Sequence, residues 1–279
     1  MKRRTLEELN LMDDFLFQEA ITRGEKGKRF CQILLRMIMG QEIGKVHITS
    51  QKVVAGMNTK LHGIRIDAYI EEEKEKETTT AEVISNIYDV EPNKYRGDSE
   101  PKRARYYHSL MDSKLLKTGT EYGKLKNVVI ILITPYDPFG KDRMVYTVER
   151  HCVEDASISY EDGQKTIYLY TKGTQGNPSK ELRDMLKYLE ESTAENAVNK
   201  ELKEIHTLVN EIKGDEEVGI GYMKAIEHEM MWKQEGKIEG EQRVNRLIKL
   251  LIEASREDEI DKAVSNREYQ QRLFEEFGI

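Results

Sequence analysis

The chain has only two cysteines, Cys31 and Cys152, and no apolar stretch long enough to cross a bilayer. Two thiols so far apart give neither a disulfide framework nor the paired spacing of a thiolate metal site. The longest apolar runs, such as VVIILI at 128–133, fall well short of the about 20 residues a membrane helix needs. No membrane role is expected. The basic opening MKRRTLEELN lacks the apolar segment of a secretory signal, so a cytoplasmic location is the expectation. A GxxxxGK[ST] phosphate loop is missing, and so is any recognisable serine or cysteine nucleophile motif. The six histidines show no paired metal-ligand spacing, which directs them to surface or hydrogen-bonded positions rather than to zinc.

What is present is a heavily ionic but well-patterned chain. Apolar residues make up 38% and charged ones 34% of its 279 residues, enough to bury a core and too apolar for a disordered protein. The net charge of −7 is unevenly spread. Residues 181–279 hold 15 Lys and Arg against 24 Asp and Glu, while residues 1–180 hold 29 against 27. Between Asn93 and Lys126 nine basic residues face four acidic ones. Phosphate backbones respond to such local patches, so the global sign does not exclude DNA.

Thr5 and Glu8 read as a capping box opening a first helix through LNLMDDFLFQEAI. Phe30, Ile33, Leu34, Met37 and Ile38 follow the spacing of one buried helix face, with Gly40 as its C-terminal stop. KVHITS at 45–50 reads as a strand. GIRIDAYI alternates, with Ile64, Ile66, Ala68 and Ile70 on one face and Arg65, Asp67 and Tyr69 on the other. EEEKEKE at 71–77 is expected to be a solvated turn, and residues 78–91 a second strand antiparallel to the first. A helix follows from about Ser99 to Lys117. NVVIILIT at 127–134, apolar on both faces, fits a central covered strand, and the Asp-Gly of ISYEDGQKTIYLY signals a hairpin. From 178 onward everything reads as helix, with Gly214, Gly219, Gly221, Gly236 and Gly240 as its expected breaks. The expected division is a core at 1–177 and an acidic helical tail at 178–279.

Asp67 leaves the polar face of its strand, and on the next strand Asp89, Glu91 and Asn93 share one parity. Two readings stand side by side here. The carboxylates are ordinary groups on a solvated strand edge, or a strand Asp and a strand Glu converge into a hard-oxygen site suited to Mg²⁺.

Read in order, GIRIDAYI, YDVEPNKYRGDSEPKRARYYHSLMD, GTEYGKL, VVIILITPYDPFG and YEDGQKTIYLYTKG resemble the PD-(D/E)XK nuclease family transposases, the Rpn-like recombination-promoting nucleases. The resemblance spans most of residues 5–190. It implies an α/β fold with a restriction-endonuclease-like core, a mixed central sheet flanked by helices, followed by an all-helical C-terminal tail. It also implies a metal-dependent DNA endonuclease using Mg²⁺ or Mn²⁺, with Asp67 and Glu91 as metal ligands. Asn93 stands where the wider superfamily has lysine and this family often has glutamine, the residue that positions or polarises the attacking water. Asp14 is the candidate for an additional acid from the first helix.

The chain also departs from that pattern. Asn93 is shorter than glutamine and cannot carry a lysine's charge. Pro92 lacks a backbone donor and suits a strand end better than a central position. Lys94 falls on the opposite face of an extended strand. The alternative is therefore a weakened nuclease fold that serves as a DNA- or protein-binding module.

Lys102, Arg103 and Arg105 lie on the helix after this loop and are the candidates for DNA contact, against the alternative of a solvated basic face. In the tail, Val244, Leu247, Ile248, Leu251 and Ile252 form an apolar stripe that must be buried. Pairing of two tails, giving a homodimer, is the expectation.

Overall fold

In the computed structural model, which describes residues 4–54, 64–73, 86–116 and 118–279, the first long helix starts later than its capping residues imply. The Glu8 carboxylate accepts from Thr5 N at 2.8 Å, but the pair closes only a 3-10 turn, Leu6–Glu8. Helix α1 runs from Asp14 to Ile21. Helix α2, Gly24–Met39, has the expected face, with Phe30, Ile33, Leu34 and Met37 buried. Gly40 ends it at φ +67°, where a residue with a Cβ would be strained.

Six strands form one mixed sheet. They are β1 (Lys45–Val54), β2 (Ile64–Glu73), β3 (Asn86–Pro92), β4 (Asn127–Thr134), β5 (Val145–Val148) and β6 (Gln164–Tyr170). The spatial order is β1-β2-β3-β4-β6-β5. Strands β1, β2 and β3 pair antiparallel, β3 with β4 and β4 with β6 parallel, and β5 closes the far edge antiparallel to β6. Helix α3 (Glu100–Leu115) connects the parallel neighbours β3 and β4, the crossover such a pair requires.

One face of the sheet buries Tyr69, Ile87, Val128, Ile130 and Leu132 against Ala104, Leu110 and Met111 of α3. The alternate residues Ile70, Tyr88, Val90, Ile131 and Ile133 are fully buried too, so both faces are covered. Helices α1 and α2 contact β1 and β2, and α4 (Lys180–Glu190) and α5 (Lys200–Lys213) pack on α1 and α2.

Two expectations about the sheet change. The acidic run at 71–77 is not a turn throughout, because β2 continues to Glu73 and Glu72 is 4% exposed. Its carboxylate accepts from Asn86 Nδ2 and Tyr88 Oη, both at 2.9 Å, and from Gly44 N at 3.0 Å. Residues 74–77 and the early part of the expected strand at 78–91 lie outside the described residues. The Asp-Gly at 162–163 starts β6 rather than turning a hairpin, since β6 pairs with Val145–Val148. Gly163 has φ +76°, and a Cβ there would stand 2.2 Å from Asn127 Oδ1.

Two compact units divide between Val218 and Gly219, not at the boundary read near 177; α4 and α5 belong to the first. In the second, Gly219, Gly221, Gly236 and Gly240 lie inside a continuous helix, α6 (Glu216–Glu253). Two short helices follow, α7 (Ile260–Ser265) and α8 (Arg267–Phe277). Leu247 and Leu251 of the apolar stripe are buried against Ala263, Leu273 and Phe274, with Val244 packed beside them. The stripe is thus satisfied within its own unit, while Ile252 at its end is half-exposed. Among the described residues no helix is long and apolar enough to cross a membrane.

Candidate active site

The chemistry-bearing residues gather at the carboxyl end of β3, where the loop leading into α3 begins. In open sheets with parallel strands this end is the one left free for ligands. Asn93 N donates to Ile133 O at 2.7 Å, so the odd-numbered N–H groups here point toward β4. Position 92 therefore faces β2, and Pro92 has no N–H to continue that ladder. Pairing of β2 with β3 stops at Ala68 and Val90.

On the other side of β2 the ladder is interrupted as well. Gln51, the residue of β1 across from Asp67, adopts φ +48°, and the regular register skips that pair. A non-glycine residue in this region costs about 1–2 kcal/mol. The interruption releases Asp67 N, which donates to the Glu91 carboxylate, Oε1, at 3.1 Å. The strand parity read from the sequence thus brings Asp67 and Glu91 together, through a backbone irregularity that parity alone does not contain.

Helix α1 adds a third acid. Asp14 and Gln18 are four residues apart and share a helix face, and Gln18 Nε2 donates to Asp67 O at 3.1 Å. Burial, then the charge of Asp14, raises the Asp67 carboxyl above its ordinary range. Burial also raises Asp14, with Lys94 pulling the other way. Burial and Asp67 push Glu91 up to about 7 against the pull of Arg103. Beneath them Asp89 is wholly buried, and its carboxyl shares a hydrogen bond with that of Glu91 when the pair holds a proton. Burial, Glu91 and Asp67 hold its carboxyl well above the usual range. Crowded carboxyls that disfavour their own ionisation form a site short of positive charge.

Arg103 supplies part of that charge. Its guanidinium donates to Glu91 Oε2 at 2.5 Å and to Tyr107 Oη at 3.3 Å. It is therefore turned into the site, whereas Lys102 and Arg105, the other two candidates for DNA contact, are exposed on the outer side of α3. With its amide oriented to satisfy both atoms, Asn93 donates to Tyr95 O and accepts from Arg103 Nη1, each at 2.9 Å. Lys94 reaches back to Asp13 of the turn before α1.

Glu100 was not singled out from the sequence. It is 5% exposed, and it accepts from Gly97 N and Tyr136 Oη, both at 2.9 Å. Its position in the first turn of α3, one turn before Arg103, was the available signal.

Among the described residues, no three His, Cys, Asp or Glu side chains are arranged in advance as a metal cage. Mg²⁺ is commonly held by one or two carboxylates with waters completing its shell. Asp67 and Glu91 fit that lighter requirement. No family model, curated protein or solved structure matches the chain.

Proposed function

We propose that the first unit is a divalent-metal-dependent DNA endonuclease with a restriction-endonuclease-like core, of the PD-(D/E)XK type and related to the recombination-promoting nucleases. The observation that carries this reading is the convergence of Asp67 and Glu91 at the carboxyl end of β3, held by the Asp67 N–Glu91 hydrogen bond. Asp67 and Glu91 would hold Mg²⁺ or Mn²⁺, and a bound ion of this kind polarises a phosphodiester and supplies an activated water. Arg103 is placed to neutralise a phosphate oxygen once Glu91 no longer needs it, since a guanidinium pairs with phosphate as readily as with carboxylate. Asn93, tied to Arg103 and to Tyr95 O, fixes the guanidinium and the start of the loop. This differs from the water-positioning role implied by the resemblance.

The test is incubation of the protein with supercoiled plasmid and Mg²⁺ or Mn²⁺. Cleavage is expected in the native chain, with losses of at least ~10³-fold in Asp67→Ala and Glu91→Ala and complete loss in EDTA, as for a metal that supplies several kcal/mol. Equal cleavage by all three proteins would overturn the assignment.

A second reading is supported by the Arg103–Glu91 pair and the engaged Asn93 amide, which together occupy the functional atoms of the site. On that reading the fold binds DNA without cutting it. Both readings place phosphate contacts on the exposed Lys102 and Arg105. Lys102→Gln with Arg105→Gln is expected to weaken binding to unrelated duplexes alike and to reduce the salt slope by about 0.9 per lost contact. A loss restricted to one sequence would indicate base readout instead.

Self-association through the tail is proposed on a different face from the one first read. Met223, Met230 and Met231 lie along one side of α6 and are exposed, whereas the Val244–Ile252 stripe is used internally.

A further inference from the structure

Both carboxylate oxygens of Glu91 are committed. Oε1 accepts from Asp67 N at 3.1 Å, and Oε2 accepts from Arg103 Nη2 at 2.5 Å. Glu91 is buried, so its bond to the guanidinium is a charge-assisted one with little competition from water. A cation shared by Asp67 and Glu91 would stand beside a second positive charge drawn to the same carboxylate. Like charges at such range repel strongly where water is excluded.

Arg103 has a second partner within reach. Glu100 precedes it by three residues on α3, so the two side chains are neighbours on the helix surface. Glu100 Oε1 is used by Gly97 N and Tyr136 Oη. Its Oε2 is buried without a hydrogen bond among the described residues, a costly condition for a carboxylate oxygen. Arg103 Nη1 lies 3.9 Å from that oxygen and gives its hydrogen bond to Asn93 instead. A movement of about 1 Å would bring Nη1 into bonding range of Glu100.

The guanidinium is also the part with room to move. The Arg103 side chain is 31% exposed, whereas those of Glu91 and Glu100 are 3% and 5% exposed. Tyr107 holds the other end of the group, with Nε donating to its hydroxyl at 3.3 Å. The two terminal nitrogens can therefore change partners while the stem stays on Tyr107.

We propose that Arg103 is a two-position switch and that Glu100 is the positioning residue for its second position. Arg103 holds Glu91 until Asp67 and Glu91 take a divalent cation, and it then moves onto Glu100 Oε2. There it stays neutralised, with donors left over for a phosphate oxygen. The proposal rests on the reading of Asp67 and Glu91 as a metal site and adds its regulation: arginine competes with metal, and Glu100 sets the balance without touching the ion.

Mn²⁺ alone is the probe, titrated into the full chain without DNA, with free Mn²⁺ read by electron paramagnetic resonance. Glu100→Gln keeps an acceptor for Gly97 N and Tyr136 Oη but takes away the free anionic oxygen, and is expected to weaken Mn²⁺ binding ~10-fold. Arg103→Gln releases Glu91 and is expected to tighten binding ~10-fold. Added to Arg103→Gln, the Glu100→Gln change is expected to matter less than about 2-fold, because only side chains acting through one another depart from additivity. Melting curves in EDTA check each fold. Arg103→Met, which keeps an unbranched stem beside Tyr107, takes the place of Arg103→Gln if that variant does not melt cooperatively. Equal effects of Glu100→Gln with and without Arg103, or no tightening when Arg103 is replaced, overturn the switch and leave the metal site standing. Mn²⁺ binding by the native chain that is absent, or unchanged in Asp67→Asn, overturns the switch together with the metal reading.

Discussion

With Mg²⁺ or Mn²⁺ at about a hundred times its dissociation constant, the native protein is expected to melt well above its value in EDTA, and Asp67→Asn is expected to lose that gain. A ligand at this excess that binds only the folded state contributes about 2.7 kcal/mol. For a unit of this size each kcal/mol moves the midpoint by about 2–4 °C, so a rise of roughly 5–10 °C is expected. The metal-free proteins should rank the other way. The folded state disfavours the Asp67 charge, because burial and Asp14 raise its carboxyl, so a neutral amide relieves repulsion at neutral pH. Asp67→Asn should therefore melt above the native chain in EDTA and below it in saturating metal. Scanning calorimetry under both conditions measures this crossover, and it does not depend on catalysis. Equal metal shifts in the two proteins would move the ion away from Asp67.

Much of this site was visible as sequence pattern, because strand parity is a local rule. The alternation of Ile64, Ile66, Ala68 and Ile70 put Asp67 on the opposite face, and the spacing of Asp89, Glu91 and Asn93 kept them together. The break that lets Asp67 N reach Glu91 was not visible. It requires a positive φ at Gln51, and nothing in a glutamine announces one. Burial of Asp89 was equally hidden, since parity assigns a face but not what packs over it, and here α3 does.

The helix after β3 shows the same limit. Arg103 and Tyr107 stand at i, i+4 on the helix, and the two meet, with the guanidinium 5.1 Å from the ring centroid. That Arg103 would turn inward while Lys102 and Arg105 stay outside depends on the charge of Glu91, a tertiary neighbour. In the tail, spacing identified an apolar stripe but not its partner. The stripe found one within its own unit because Ala263, Leu273 and Phe274 return to it.

The misplaced boundary leads to the second large expectation: a chain ended at Asn177 will not fold, whereas one ended at Val218 will. Helix α4 buries Leu182, Met185, Leu186, Tyr188 and Leu189, and α5 buries Leu202, Ile205, Leu208, Val209 and Ile212. Burying an apolar side chain of this kind is worth about 1.5–3 kcal/mol. Losing all of them removes on the order of 15–30 kcal/mol, an upper bound for a compact unfolded state, against a total stability of about 5–15 kcal/mol. Polar ties go with them: Met12 N donates to Leu189 O at 3.2 Å, Leu11 N to Ser192 Oγ at 2.9 Å, and Arg23 pairs with Asp215 at 2.9 Å. These hold the segment around α1, which carries Asp14 and Gln18, so the acidic site depends on residues far past 177. The longer fragment is expected to give a sharp two-state melt and native near-ultraviolet circular dichroism. The shorter one is expected to lack both. A cooperative melt from the 1–177 fragment, with native near-ultraviolet dichroism, would show that α4 and α5 are dispensable and that the first unit ends where the sequence pattern first placed it.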